Sequence, residues 1–262
     1  MAQQTQIARV LPAYERFLRR FPSLAVLAEA SLGDVLREWS GLGYNRRARD
    51  LHRIARAHPH GLPRTVEALD ALPGVGAYTA GAVACFAYGQ RVAFADTNIR
   101  RVLGRAFLGR DATEREAVEL DRAQMPRRVP GRWHSALMDL GAAICTARGP
   151  QCPRCPLRTV CVFARALPAA GDGAAAARGR AGVRPSPPAR GALATGTKGN
   201  AYAASDRRIR GAIIAALVGP PDGLTLAALE RLIGDPRIRS LTRALAAERL
   251  VERVGDLVRL PA

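Results

Sequence analysis

Four cysteines at positions 145, 152, 155 and 161 constrain this chain more than any other feature. Their pattern is C-x6-C-x2-C-x5-C. Thiols packed this closely in one short stretch do not suit structural disulfides in a reducing compartment. They suit a tetrahedral metal or a cubane cluster. Zinc sites usually use two C-x2–4-C pairs. Here a single C-x2-C pair is flanked by lone cysteines, and Pro153 and Pro156 tighten the loop between ligands. The pattern therefore favours a [4Fe–4S] cluster over zinc. The fifth cysteine, Cys85, sits in an apolar helix and reads as a small buried hydrophobe.

The periodicity before the cysteines is helical. Ile7, Val10, Leu11, Tyr14, Phe17 and Leu18 recur at spacings of three and four, which predicts an amphipathic helix over 3–21 interrupted or opened by Pro12. Further helices are expected at about 24–38, 45–58, 65–71, 77–89, from Asp96 onward, 112–125 and just before the cysteines. No segment of 1–163 alternates like a strand. The expectation is an all-α domain over 1–163. Residues 164–205 are rich in Ala, Gly, Pro and Arg, which predicts a flexible linker. Residues 206–262 regain helical periodicity in three segments and end in DLVRLP, a possible strand. That order suits a winged-helix-like C-terminal domain; a three-helix accessory bundle is the alternative.

Charge narrows the function. Lys plus Arg total 40 against 22 Asp plus Glu, a net charge of +18. Such a balance predicts a polyanionic partner, most often nucleic acid, and a solubility bias of the proteome is the plainer reading. Lys198 is the single lysine. No apolar run reaches the ~18–20 residues of a membrane helix, and the first residues lack the plan of a signal peptide. A cytoplasmic, nucleoid-associated location is expected.

Two further motifs carry chemistry. LPGVG at 72–76 joins two helices by a glycine-rich hairpin. Gly74 and Gly76 permit backbone angles closed to other residues, and the next helix presents N–H groups suited to a phosphate. About twenty residues later stands Asp96 in FADTNIRRV, either a helix cap or a functional carboxylate.

Together these features resemble the iron–sulfur helix–hairpin–helix DNA glycosylases, the endonuclease III superfamily. QQTQIARVLPAYERFLRRFP, WSGLGYNRRARDLH, LPGVGAYTAGAV and ALMDLGAAIC look closest to its MutY-type adenine-excising branch. The resemblance covers about 1–163; the tail is similar to the short extension of some actinobacterial members. It implies a helix–hairpin–helix glycosylase domain whose [4Fe–4S] cluster is held by Cys145, Cys152, Cys155 and Cys161. It implies a partner of double-stranded DNA containing mismatched or oxidised pairs, and excision of adenine opposite 8-oxoguanine or guanine by a monomer. Gln3, Gln4 and Tyr44 would enter the duplex as the nucleotide flips. The hairpin, with Leu72, Gly74 and Gly76, would grip the backbone, and Arg46, Arg47 and Arg49 would contact phosphates. Asp96 would face the developing sugar cation, Asn98 would hold it, and Tyr78 would line the adenine pocket. Tyr78 occupies the position of the Schiff-base lysine of strand-cutting relatives, so a monofunctional enzyme is implied.

The sequence departs from the family in two ways. The general-acid Glu of the family falls two positions before the residue matched by Met1. Either the true start lies upstream, or the chain is a truncated relative that binds DNA but excises poorly. Residues 206–262 are also too few for the Nudix-like domain that inspects the opposite base in many relatives. A cluster-bearing transcriptional regulator is a third reading, which leaves Asp96 and Tyr78 unexplained.

Overall fold

The computed structural model describes residues 1–167 and 205–262. Apart from its edges, the linker expected at 164–205 lies outside them. The chain forms two compact units. One joins Met1–Pro63 and Leu72–Gly74 to the C-terminal segment ending at Ala262; the other comprises Arg64–Ala71 and the chain from Val75 through the cysteines.

The first unit opens with α1 (Ile7–Arg20), α2 (Leu24–Glu29), α3 (Leu32–Trp39) and α4 (Arg46–Ala57). Helix α1 runs through Pro12 and buries Val10, Ala13 and Phe17. Only part of its apolar pattern turns inward: Ile7, Leu11, Tyr14 and Leu18 stay exposed. Phe17 meets Phe21 and Trp39 edge-on, with centroids 4.9 and 6.0 Å apart. The single helix expected over 24–38 is two. Ala30 adopts an extended conformation, and the Ser31 hydroxyl then caps α3 by accepting from Asp34 N at 3.0 Å.

The C-terminal segment follows the order of a winged helix: α11 (Asp206–Ala216), β1 (Leu224–Thr225), α12 (Leu226–Ile233), α13 (Ile238–Ala247), β2 (Glu252–Val254) and β3 (Leu257–Arg259). The strands pair antiparallel in the order β1-β3-β2. The strand foreseen in DLVRLP is β3; β1 and β2 are too short to show periodicity. Ile209, Ile213, Leu229 and Val258 belong to one apolar cluster with Phe17, Leu36 and Trp39. Each such side chain contributes about 1.5–3 kcal/mol on burial. At the seam the Gly33 N–H donates to the Pro261 carbonyl at 2.8 Å. A Cβ at Gly33 would lie 2.5 Å from that oxygen, so the approach requires glycine. The composition of a linker says nothing of where its far end docks, which is why this shared core is invisible in the sequence.

The second unit contains α5 (Val66–Asp70), α6 (Ala77–Tyr88), α7 (Thr97–Leu103) with a π-helical turn at Gly104–Leu108, α8 (Glu114–Gln124), α9 (Pro130–Ala143) and, after a 3-10 turn at Cys152–Arg154, α10 (Val162–Arg165). Its core gathers Cys85, Phe94, Ile99, Val102, Leu103 and Leu137. Among the described residues, no helix is long and apolar enough to cross a membrane.

Candidate active site and nucleic-acid interface

Asp96 is the N-cap of α7, so the carboxylate singled out in the sequence serves at least as a helix cap. Its Oδ1 accepts from the backbone N–H groups of Asn98 and Ile99 at 2.8 and 2.7 Å. Its Oδ2 accepts from Asn98 Nδ2 at 3.1 Å. Three donors converge on one partly exposed carboxylate at a helix N-terminus and fix its orientation. Asn98 is held in turn, its Oδ1 accepting from Arg101 Nη2 at 2.7 Å. Arg101 also donates to the carbonyls of Gly141 at 2.6 Å and Cys145 at 2.5 Å. A side chain at Gly141 would meet Asn98 Cβ at 2.6 Å, so glycine lets α9 lie against this network. Sequence reasoning missed Arg101. Its signal is its place one helical turn after Asn98 in TNIRRV.

Tyr78 stands in the first turn of α6, partly exposed, with its ring edge-on to Phe94 at 5.5 Å. Burial first, and then the field of Asp96, push its phenol above the usual value. The hydroxyl therefore keeps its proton and stays a hydrogen-bond donor.

In the hairpin, Thr65 caps α5 by accepting from Ala68 N at 3.3 Å. Leu72 is buried. Gly74 has φ +74°, and a Cβ there would press on the Asp50 carboxylate at 3.1 Å. Gly76 begins α6 with no side-chain cap and open space where a Cβ would lie. An uncapped helix start beside a bare backbone can approach a phosphate closely.

The loop Gly41-Leu42-Gly43-Tyr44 holds Gly41, Gly43 and Tyr44 at φ +87°, +68° and +49°. A tyrosine in this region is strained and must be held by its surroundings. The Arg47 guanidinium lies over the ring at 5.3 Å, and that of Arg207 of α11 at 4.7 Å. Arg207 also donates to the Tyr44 hydroxyl. Arg47 spends both terminal nitrogens on the chain itself: the carbonyls of Met1, Gln3, Leu42 and Gly43, and the Thr5 hydroxyl. It ties the first residues to the loop. Gln3 and Gln4 are exposed, Gln4 with φ +54°. Arg46 makes a bidentate pair with Glu248 at 2.7 and 2.5 Å, and Arg210 shares that carboxylate at 2.5 Å. Arg49 donates to the Glu248 carbonyl at 2.8 Å. Hydrogen bonding from Arg46 draws the Glu248 carboxyl down to about 2. Arg207 and Glu248 had no signal in the sequence, because they lie more than 160 positions from their partners.

The four cysteines lie on one segment that follows α9 and folds around Arg105. That guanidinium reaches Cys145 Sγ at 3.8 Å and donates to the carbonyls of Thr146 and Ala147 at 2.8 and 3.2 Å. The Cys161 thiol donates to the Arg105 carbonyl at 3.4 Å. Burial first, and then the other three thiols, push the Cys152 thiol up. Cys145 is also pushed up by burial, with Arg105 and Arg101 opposing. Among the described residues, no three His, Cys, Asp or Glu side chains stand as a preformed metal shell. The donor set nevertheless fits a thiolate-ligated cluster: four cysteines share one short segment, Cys152 lies in the field of the other three, and the buried guanidiniums of Arg101 and Arg105 face Cys145.

Residues 1–125 match the family described as HhH-GPD superfamily base excision DNA repair protein. The adenine DNA glycosylase of Mycobacterium tuberculosis is 41% identical over 268 residues, covering 98% of this chain and 81% of that protein. The Mycolicibacterium smegmatis adenine DNA glycosylase is 36% identical over 98% of this chain and 83% of its own. The human adenine DNA glycosylase is 40% identical over 62% of this chain and 31% of its own. Of these three relatives, the two mycobacterial ones span the C-terminal module as well. Among solved structures, a thermostable thymine-DNA glycosylase matches with TM-score 0.54 and 27% identity, over 62% of this chain and 79% of its own. A trapped endonuclease III–DNA covalent intermediate matches with TM-score 0.55 and 25% identity, over 63% and 80%. The likeness read from the hairpin, Asp96 and the cysteines is therefore one of kinship: the chain belongs to the adenine DNA glycosylases, the N-glycosidic-bond hydrolases of base excision DNA repair.

Proposed function

We propose that this protein, acting as a monomer in the cytoplasm at the nucleoid, binds duplex DNA and removes adenine standing opposite 8-oxoguanine or guanine, without cutting the strand. The observation that carries the reading is the Asp96 carboxylate, fixed by three N–H donors at the start of α7. A base within the stack is out of reach, so the nucleotide must leave it. Tyr44, held at positive φ with the guanidiniums of Arg47 and Arg207 over its ring, would fill the gap together with Gln3 and Gln4. Leu72, Gly74 and Gly76 would bring the hairpin backbone to a phosphate. Arg46 would add a phosphate contact by exchanging Glu248, whereas Arg47 acts as a brace for the loop.

Excision breaks the C1′–N bond: the electron pair leaves with adenine, C1′ takes the OH of a water, and the water's remaining proton ends on the base. The anionic Asp96 would lower the energy of the cationic sugar between these events. Asn98 would keep the carboxylate aimed, and Tyr78 would line the pocket and donate from its hydroxyl. These residues supply no acid for the leaving base, and the assignment of Asp96 is confined to the cation. With tyrosine at position 78 there is no amine to trap the sugar as a Schiff base. Cys145, Cys152, Cys155 and Cys161 would hold a [4Fe–4S] cluster, which when bound cross-links its loop and adds a local charge.

A duplex with one adenine opposite 8-oxoguanine tests the reading. The expected product is an abasic site that breaks only on alkali treatment. Incision without alkali, or release of the opposite base, would contradict it.

A further inference from the structure

Asp121 on α8 and His134 on α9 are both completely buried, and the chemistry above uses neither. His134 Nε2 faces Asp121 Oδ2 at 2.8 Å. Trp133 Nε1 donates to Asp121 Oδ1 at 2.6 Å, and the backbone N–H of Phe94 donates to Oδ2 at 3.1 Å. The carboxylate is thus satisfied from three directions. On the far side of the imidazole, Nδ1 lies 3.1 Å from the Pro130 carbonyl oxygen and 3.4 Å from Cys85 Sγ. The ring is fixed at both nitrogens.

This pair holds Phe94 by backbone and by ring. The Phe94 ring stacks on the imidazole with centroids 4.0 Å apart and planes at 20°. It meets Tyr78 edge-on. Its Cβ lies 2.9 Å from where a side chain at Gly81 would begin, so it is pressed against the bare face of α6. Two residues after Phe94 the chain reaches Asp96. One buried pair therefore touches the residue that supports Tyr78 on one side and leads into Asp96 on the other. A buried carboxylate with imidazole is costly beside an apolar packing of equal volume, and such groups are best explained by the geometry they impose.

We infer that Asp121 and His134 are positioning residues for base excision, which set the Tyr78 ring and the Asp96 carboxylate through Phe94. The inference rests on the proposed roles of Asp96 and Tyr78. Displacing a reacting group by about 1 Å can cost on the order of 100-fold in rate, so the effect belongs in the chemical step and not in binding.

The test compares Asp121→Asn, His134→Phe, His134→Gln and Asp96→Asn with the parent protein. Met125→Ala serves as a stability control, because Met125 is buried at the end of the same helix, outside the Phe94 cluster. The readouts are the single-turnover excision rate at saturating enzyme, the Kd for an uncleaved A:8-oxoguanine duplex, and Tm. Asp121→Asn and His134→Phe are expected to slow excision about tenfold or more with Kd changed less than about twofold. His134→Gln, which keeps a donor for Asp121, should recover part of the rate. Met125→Ala should lower Tm and leave the rate within about twofold. The inference is overturned if His134→Phe folds and excises at the parent rate, or if Met125→Ala at equal loss of Tm slows excision as much. A parent-like rate in Asp96→Asn would overturn the underlying reading as well; loss in Asp96→Asn with none in the Asp121 and His134 variants overturns this inference alone. Should Asp121→Asn fail to fold, the two His134 variants decide.

Discussion

At position 96 one carboxylate caps α7, and substitution can separate that duty from the proposed one in excision. Asp96→Asn keeps the size and one acceptor oxygen but removes the charge. It should slow adenine release by about 100-fold or more, with duplex affinity nearly unchanged, as single-turnover excision beside a binding titration would show. The neighbouring glycine tests the support. A Cβ at Gly141 would lie 2.6 Å from that of Asn98. Gly141→Ala should cost about 1–3 kcal/mol in denaturant unfolding and also slow excision, because the strain falls on the side chain that holds Asp96. The four cysteines were legible in the sequence because their short spacing exposes them, whereas Asp96 and Asn98 stood out as a pair only through the family resemblance. Arg101 was not, since its partner carbonyl at Cys145 lies 44 positions away. Asp121 and His134 look like ordinary helix residues until α8 and α9 are packed.

Among the elements, the Tyr44 loop shows how local strain is held by distant chain. Gly41 and Gly43 make the turn legible, but Arg207, which braces the Tyr44 ring, comes from α11, and Glu248, which pairs with Arg46 in the next helix, from the end of α13. Arg207→Ala should leave the fold intact and weaken discrimination between lesion-containing and ordinary duplex, read as a fall in the ratio of their Kd values. Glu248 gives a pH signature. Its carboxyl is held at about 2, below its ordinary value of 4.5. A depressed folded value means the contribution to stability is present above about 4.5 and is lost as pH falls toward 2. Glu248→Gln should flatten the decline of Tm across that window relative to the parent protein. A decline of equal steepness in the variant would show that the pair with Arg46 and Arg210 does not couple to folding.

For the whole molecule, composition foretold a basic protein and periodicity a helical one, and both readings held. The grouping of the C-terminal module with the first helices was not legible, because it depends on a shared core between segments about 200 residues apart. Gly33→Ala should expose that dependence. The new methyl meets the Pro261 carbonyl at 2.5 Å, so unfolding should begin at lower denaturant by about 1–3 kcal/mol. The net charge of +18 bears on the partner. The measurement that tests the central claim most directly is single-turnover processing of a duplex with adenine opposite 8-oxoguanine by the parent protein and by Asp96→Asn. The account predicts an alkali-labile abasic site at the adenine with the parent protein and almost none with the variant, both binding the duplex. Tight binding with no adenine release by the parent protein would contradict it and leave a DNA-binding relative without catalysis.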